Sequence, residues 1–254
     1  MRGIVPIGTR APWWRRSVGA AWWRRVFGVA VAVSLAAAAP VSVHAQQDGA
    51  VVAAQSTEAA RPALRAVRRA GAIVVDGVLD EEAWKGAPPF RGFTQQQPVE
   101  GVPAEQDTEV RVLFDERAIW IGARLFDSEP SRINDRLMRR DSDGQFDMFV
   151  VELDPNLDRR TGYIFAVSAA NVQGDAYLYD DTRMDGAWNA VWSSSVARDD
   201  LGWSVEIRIP LSQIRYEASE APRDWGINFV RRRILNNETS YFSLVSRLQR
   251  GLVS

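Results

Sequence analysis

Val74-Val75-Asp76-Gly77-Val78-Leu79-Asp80-Glu81-Glu82-Ala83-Trp84 divides this chain into two unlike parts. Two branched apolar residues run into Asp-Gly, a turn signal, because Gly accepts positive φ and Asp hydrogen-bonds its own backbone. Leu79 then reads as buried. Asp80 reads as a helix N-cap, with Glu81 and Glu82 in the first turn. Trp84 reads as the ring that anchors the helix to whatever lies beneath it. Upstream, the composition is that of an address and a tether. Downstream, it is that of alternating strands. The stretch marks where a folded domain opens.

Residues 1–45 hold six arginines and no Asp or Glu. Arg15-Arg16 and Arg24-Arg25 form a basic region, the apolar run 26–39 follows, and Pro40 breaks it before Val43-His44-Ala45. Basic region, apolar core and small-x-small site in that order predict a secretory signal cleaved after Ala45. The competing reading is a membrane anchor, but the run falls short of the roughly 20 residues that span a bilayer. Arg24-Arg25-Val26-Phe27 also fits a twin-arginine signal, so the general and twin-arginine routes both stay open. The expected location is the periplasm, the outer membrane or the exterior. Residues 46–62 are rich in Ala, Gln, Ser, Thr and Glu and read as a flexible linker. Residues 63–254 are expected to form one domain.

Cleavage removes six arginines and leaves 25 basic against 32 acidic side chains, a net charge of −7. A mildly acidic protein is a poor partner for a nucleic-acid backbone, so no nucleic-acid partner is expected. The chain has no cysteine, and its one histidine, His44, leaves with the signal. Thiol nucleophiles, zinc-thiolate sites, histidine-zinc sites and Ser-His-Asp triads are therefore excluded from the mature chain.

Within the domain, Val110, Val112 and Phe114 alternate with Glu109, Arg111 and Leu113. Trp203, Val205, Ile207 and Ile209 alternate with Ser204, Glu206 and Arg208, the two-residue period of a half-buried strand. Further strands are expected over 119–126, 146–153, 163–168 and 226–234. Met148-Phe149-Val150-Val151 is apolar on both faces and belongs inside a sheet covered on two sides. Turn signals at 115–117, 154–156, 171–174 and 199–202 separate these runs. The expected fold is all-β, an antiparallel sandwich of jelly-roll type with one or two short helices; Leu211-Ser212-Gln213-Ile214 supplies the second helical turn.

The stretch 75–84 resembles the opening of the family 9 carbohydrate-binding domain. Further pieces of that pattern follow in order: Thr108-Glu109-Val110, Trp120-Ile121-Gly122, the run 147–154, Arg160-Thr161-Gly162-Tyr163, Trp188-Asn189-Ala190-Val191-Trp192, the run 202–210, and Trp225-Gly226-Ile227-Asn228-Phe229. The resemblance covers 64–245. It implies a non-catalytic domain that holds a glycan or polysaccharide between aromatic rings in carbohydrate catabolism, with structural calcium as the cofactor to look for. The nearest form of the pattern resembles the envelope-facing domain that precedes an outer-membrane β-barrel. That implies an alternative, an accessory domain of a barrel protein without sugar binding. A barrel needs at least eight strands of about ten residues, so this chain is expected to be either a standalone secreted domain or, the preferred reading, a truncated form.

Trp188 is the leading candidate for a sugar-stacking ring, with Trp192 as a second. Tryptophan offers the largest flat surface to the C–H face of a sugar. Asp185 and Asn189 beside them are the candidates for hydrogen bonds to hydroxyls. The competing reading has both rings capping the core, and the loop position favours Trp188 over Trp192, which begins a strand-like run. Asp154-Pro155-Asn156-Leu157-Asp158 spaces oxygens like a calcium loop, but Arg159 and Phe165 stand where the loop needs glycine and an acid. A hairpin turn with Asx hydrogen bonds is the expectation there, and no metal ligand is assigned. Asp175, Asp180, Asp181 and Asp185 are read as a solvated acidic loop, and the run 135–141 as a solvated segment with local ion pairs. No pair of acids is marked out for glycoside hydrolysis, and no catalytic residue is expected. Protein exported by a bacterial host is expected to begin at Gln46. N-terminal sequencing checks this, and an uncut N-terminus would favour the anchor.

Overall fold

The structure, a computed structural model, describes residues 62–141, 144–217, 223–249 and 251. The signal expected over 1–45, the tether up to residue 61 and the last three residues lie outside the described residues. Among the described residues twelve strands form: β1 (Val67–Arg68), β2 (Thr94–Gln97), β3 (Thr108–Phe114), β4 (Ala118–Phe126), β5 (Met148–Asp154), β6 (Gly162–Ser168), β7 (Gln173–Tyr179), β8 (Arg183–Asp185), β9 (Ser193–Asp199), β10 (Gly202–Pro210), β11 (Gly226–Arg233) and β12 (Glu238–Tyr241). One sheet runs β1-β3-β4-β10-β9 and the other β2-β12-β11-β5-β6-β7-β8. All pairings are antiparallel except β1 with β3.

The two-residue period places the apolar set of each strand on the inner faces. From the smaller sheet come Val110, Val112, Ile121, Leu125, Trp203, Val205, Ile207 and Ile209; from the larger come Phe149, Val151, Leu153, Tyr163, Phe165, Val167 and Phe229. The outer face of β5 is covered as its apolar run predicts. Met148 packs with Phe146, Ala166 and Ala176, and Met138 and Met184 close over them.

The stretch 74–84 lies on the outer face of the smaller sheet. Trp84 and Leu79 pack with Leu113, Ala118 and Trp120. They approach β4 so closely that a Cβ on Gly122 would meet Leu79 Cδ2 at 2.7 Å and Trp84 Cζ3 at 3.1 Å. Gly77 has φ +95°, and a Cβ there would lie 2.5 Å from the Val196 backbone of β9. Glu206 of β10 receives the whole turn. One oxygen accepts the Asp76 and Gly77 amides at 2.8 Å each, and the other accepts Trp84 Nε1 at 2.8 Å. Ser204 Oγ donates to the Gly77 carbonyl at 2.6 Å.

The helix itself, α1 (Glu82–Lys85), departs from expectation. Its N-cap is Glu81, not Asp80, and no side chain caps it. Glu81 Oε1 is instead engaged by the Val74 amide at 2.9 Å. A four-residue helix pinned by a tryptophan that is 1% exposed draws its stability from that burial, not from a cap. The second helical turn forms as a 3-10 turn over Leu211–Gln213.

The ends of the sandwich differ. At one, Arg231 and Arg233 of β11 reach across to Asp127, just beyond β4. Arg233 grips both carboxylate oxygens at 2.8 and 2.9 Å, and Arg231 donates to the carbonyls of Asp107 at 2.9 Å and Phe126 at 2.6 Å. The other end gathers aromatic rings. Replacing Glu206 by Ala strands a buried amide, a part-buried amide and a buried indole N–H, and a buried donor left unpaired costs about 1–3 kcal/mol. The expected loss in urea unfolding is at least about 3 kcal/mol. Asp76→Ala, which removes only the Asx bond to the Val78 amide, is expected to cost about 1 kcal/mol.

Candidate functional site

The loop carrying the two sequence-marked tryptophans leaves β8, an edge of the larger sheet, and enters β9, an edge of the smaller one. It therefore crosses the open flank of the sandwich. Trp192 is 7% exposed and belongs to the core. Its ring stands edge-on to Phe165 at 5.3 Å, and its Nε1 donates to Asp175 Oδ2 at 2.7 Å. The ring and the polar edge of this indole are committed inside the protein. Trp188 is half-buried, tilted against Tyr163 at 5.2 Å and edge-on to Phe165 at 5.9 Å.

Asp185 and Asn189 are exposed on either side of Trp188. Asp185 Oδ1 accepts the Ala187 amide at 2.9 Å, and Asn189 Nδ2 donates to the Ala187 carbonyl at 2.9 Å. Each uses part of its capacity to shape the loop. The structure thus brings Trp188, Asp185 and Asn189 to one surface and sets Trp192 beneath it.

Asp175 fixes the loop. It sits on the inner face of β7, opposite Phe165, and is 1% exposed. It accepts from Trp192 and the Ala190 amide and pairs with Arg140, which also donates to the Ala190 carbonyl at 3.1 Å. This separates it from the acidic group expected at 175–185, of which Asp180 and Asp181 form the β7–β8 turn with left-handed backbone (φ 51° and 58°). It also changes the reading of 135–141. Beside the local Arg140–Asp141 pair at 3.5 Å, Arg140 reaches Asp175 and Asp135 pairs with Arg198, so ion pairs of this run also tie parts of the chain distant in sequence.

Two tyrosines that the sequence pattern does not mark extend the surface beyond the loop. Tyr177 and Tyr179 of β7 stack nearly parallel, 6.2 Å apart with 10° between their planes, and both are half-buried. Tyr177 leans on Tyr163 at 5.3 Å, which in turn touches Trp188. Arg183 lies over Tyr179 at 5.9 Å. Burial raises the pKa of the Tyr163 phenol, whose oxygen accepts the Arg215 amide at 2.9 Å. The signal is present as Tyr177-Leu178-Tyr179, two aromatics on one face of a strand. Gly174 and Asp175 obscure it, because they break the apolar alternation.

The 154–161 loop is a closed Asx turn. Asp154 accepts the amides of Asn156 and Asp158 on one oxygen at 3.2 and 3.3 Å and that of Arg159 on the other at 2.9 Å. Asp158 similarly holds the Arg160 and Thr161 amides at 2.7 Å each. Among the described residues no group of three or more His, Asp or Glu side chains is placed to hold a metal. No helix among them is long and apolar enough to cross a membrane.

Comparison with known proteins matches this architecture. The family described as carbohydrate family 9 binding domain-like matches residues 75–238. A carbohydrate-binding module of family 9 from Caldicellulosiruptor kristjanssonii, solved with cellotriose, superposes with a TM-score of 0.50 at 17% identity, covering 70% of this chain and 84% of that one. A protein of Bacteroides uniformis ATCC 8492, proposed to bind carbohydrate, superposes with a TM-score of 0.57 at 12% identity, covering 74% and 92%. No curated protein matches the chain.

Asp175→Ala is expected to destabilise the fold by about 3 kcal/mol, because it strands an indole N–H and an amide and leaves Arg140 without its buried partner. Tryptophan emission should shift to the red as Trp192 loosens. An unchanged spectrum and unchanged urea midpoint would remove Asp175 from this role.

Proposed function

Because the chain belongs to the carbohydrate family 9 binding domain-like family, we propose that it is a non-catalytic module that binds a glycan on the aromatic flank formed by Trp188, Tyr177 and Tyr179. The observation that carries the reading is the near-parallel Tyr177–Tyr179 pair, half-exposed beside Trp188, with an exposed carboxylate and amide at its rim. Aromatic faces accept the C–H face of a pyranose, and rim groups then select among hydroxyl patterns. Asp185 accepts hydrogen bonds from sugar hydroxyls, and Asn189 donates and accepts. Trp192 serves by holding the loop that presents Trp188. The cellotriose-bound relative of the same fold makes β-linked glucose chains the first ligands to try.

The domain is proposed to act after export, at the cell envelope, in the breakdown or capture of polysaccharide. The sequence resemblance to domains that precede outer-membrane barrels supports a second reading, an accessory domain of such a barrel. An open reading frame continuing past residue 254 into alternating ten-residue segments would favour that reading, and an unrelated downstream gene would count against it.

Affinity electrophoresis in gels containing hydroxyethylcellulose or xylan, followed by calorimetry with cello-oligosaccharides, tests the site. Trp188→Ala is expected to weaken binding at least about tenfold while leaving the far-ultraviolet spectrum intact. Retention of full affinity by Trp188→Ala and by a Tyr177→Ala/Tyr179→Ala double variant would place the glycan elsewhere.

A further inference from the structure

The aromatic end of the sandwich holds a hollow that the flank of Trp188, Tyr177 and Tyr179 does not use. The loop 154–161 and the segment 214–217, which follows the 3-10 turn, border an open depression of about 350 Å³ lined by Asn156, Asp158, Arg215, Tyr216 and Glu217. Two hydrogen bonds clamp its walls together. The Arg215 amide donates to the Tyr163 hydroxyl at 2.9 Å, and the Glu217 amide donates to Asn156 Oδ1 at 3.3 Å. Tyr216 is 40% exposed and tilts against the Trp225 ring at 5.3 Å, and Trp225 in turn packs on the core. An exposed ring with rigid backing is thus built into the wall. Tyr163 joins the depression to the flank, since its ring touches Trp188 while its hydroxyl receives the Arg215 amide.

The charges that line this depression are spent unequally. Both Asp158 oxygens are engaged, Oδ1 by the Arg160 and Thr161 amides and Oδ2 by the Thr161 hydroxyl at 2.7 Å. Glu217 pairs with Arg223 at 3.3 Å. Among the described residues the exposed Arg215 guanidinium makes no hydrogen bond and no ion pair. A guanidinium presents a planar fork that a carboxylate fits with two parallel bonds. We propose that the depression is a second binding site, which takes the uronate residue of an acidic glycan. Arg215 receives the sugar carboxylate, Tyr216 carries the C–H face of the ring, and Asn156 Nδ2 donates to a hydroxyl. The volume lies at the lower end of small-ligand sites, which span about 300–1,000 Å³, and suits one such ring. The inference rests on the glycan reading of the flank and adds acidic sugars to the ligands, with Tyr163 holding the two surfaces side by side.

The experiment titrates the full protein by calorimetry with D-galacturonate and D-glucuronate, using galactose and glucose as neutral counterparts and inorganic phosphate as a bare anion. At least one uronate is expected to bind about tenfold or more tightly than its neutral counterpart. That preference should shrink as ionic strength rises, because an exposed charge pair is screened. Arg215→Gln should abolish the preference, and Arg215→Lys, which keeps the charge but loses the fork, should retain part of it. Both variants keep the main-chain N–H that holds Tyr163, so both should melt with the wild type. Tyr216→Ala should weaken uronate binding at least about tenfold. No measurable uronate binding, equal affinity for acidic and neutral sugars, or a preference that survives Arg215→Gln would each overturn the proposal. Phosphate binding as tight as the uronates, together with an unaltered Tyr216→Ala, would reduce the site to a bare-anion contact and overturn it as well. Trp188→Ala should weaken cellotriose and leave the uronate monosaccharides unchanged, so failure here and failure at the aromatic flank are separable.

Discussion

A sandwich of two sheets buries its strands easily and its margins with difficulty. Strand N–H and C=O groups pair with neighbouring strands, but the segments that cross from sheet to sheet carry polar groups into places where water is excluded and no ladder exists. Each such group needs a partner or costs about 1–3 kcal/mol. This protein meets that requirement with single carboxylates at the margins. Glu206 collects two amides and an indole on the outer face of the smaller sheet. Asp175 collects an indole, an amide and a guanidinium on the open flank. Asp127 joins the sheets at one end through two arginines. A carboxylate suits the task because its two oxygens accept from several directions, while one side chain is all that must be desolvated.

The same device shapes the candidate glycan surface. The loop 185–192 must both close the flank and present a ring. Asp175 draws Trp192 inward, and the short loop that remains leaves Trp188 half out, resting on Tyr163 and Phe165. Rigid backing of this kind keeps an exposed aromatic from collapsing onto the surface and lowers the ordering cost of binding. The tyrosine pair on β7 is held by the sheet itself, since residues two apart on one strand face the same way.

Long strands were legible because one side of each is sealed. β3, β4, β5, β6, β10 and β11 all lie within or close to their sequence-based bounds. β7 and β9 were not marked. Asp175 places a charge on an inward position of β7, and β9 opens with Ser193-Ser194-Ser195, so neither shows apolar alternation. Their strand character comes from the neighbours that pair with them. β1, β2, β8 and β12 are two to four residues long and exist only as additions to existing edges. The N-cap is a similar case: Asp80 has the better chemistry for the position, yet the docking of Trp84 and the Val74 amide decide where α1 begins.

By itself, then, the sequence determined the sandwich class, the anchoring role of 74–84, the absence of cysteine from the chain and of histidine after residue 44, and a loop with two tryptophans as the place to look. These follow from period, composition and local turn chemistry, which act over a few residues. The tertiary structure alone decided which tryptophan is buried, that Tyr177 and Tyr179 stand beside the other, and that Glu206 receives the Asp76–Gly77 turn 129 residues away. Each of these depends on which groups meet across strands distant in sequence, and hydrogen-bond satisfaction is a property of that meeting, not of any segment taken alone.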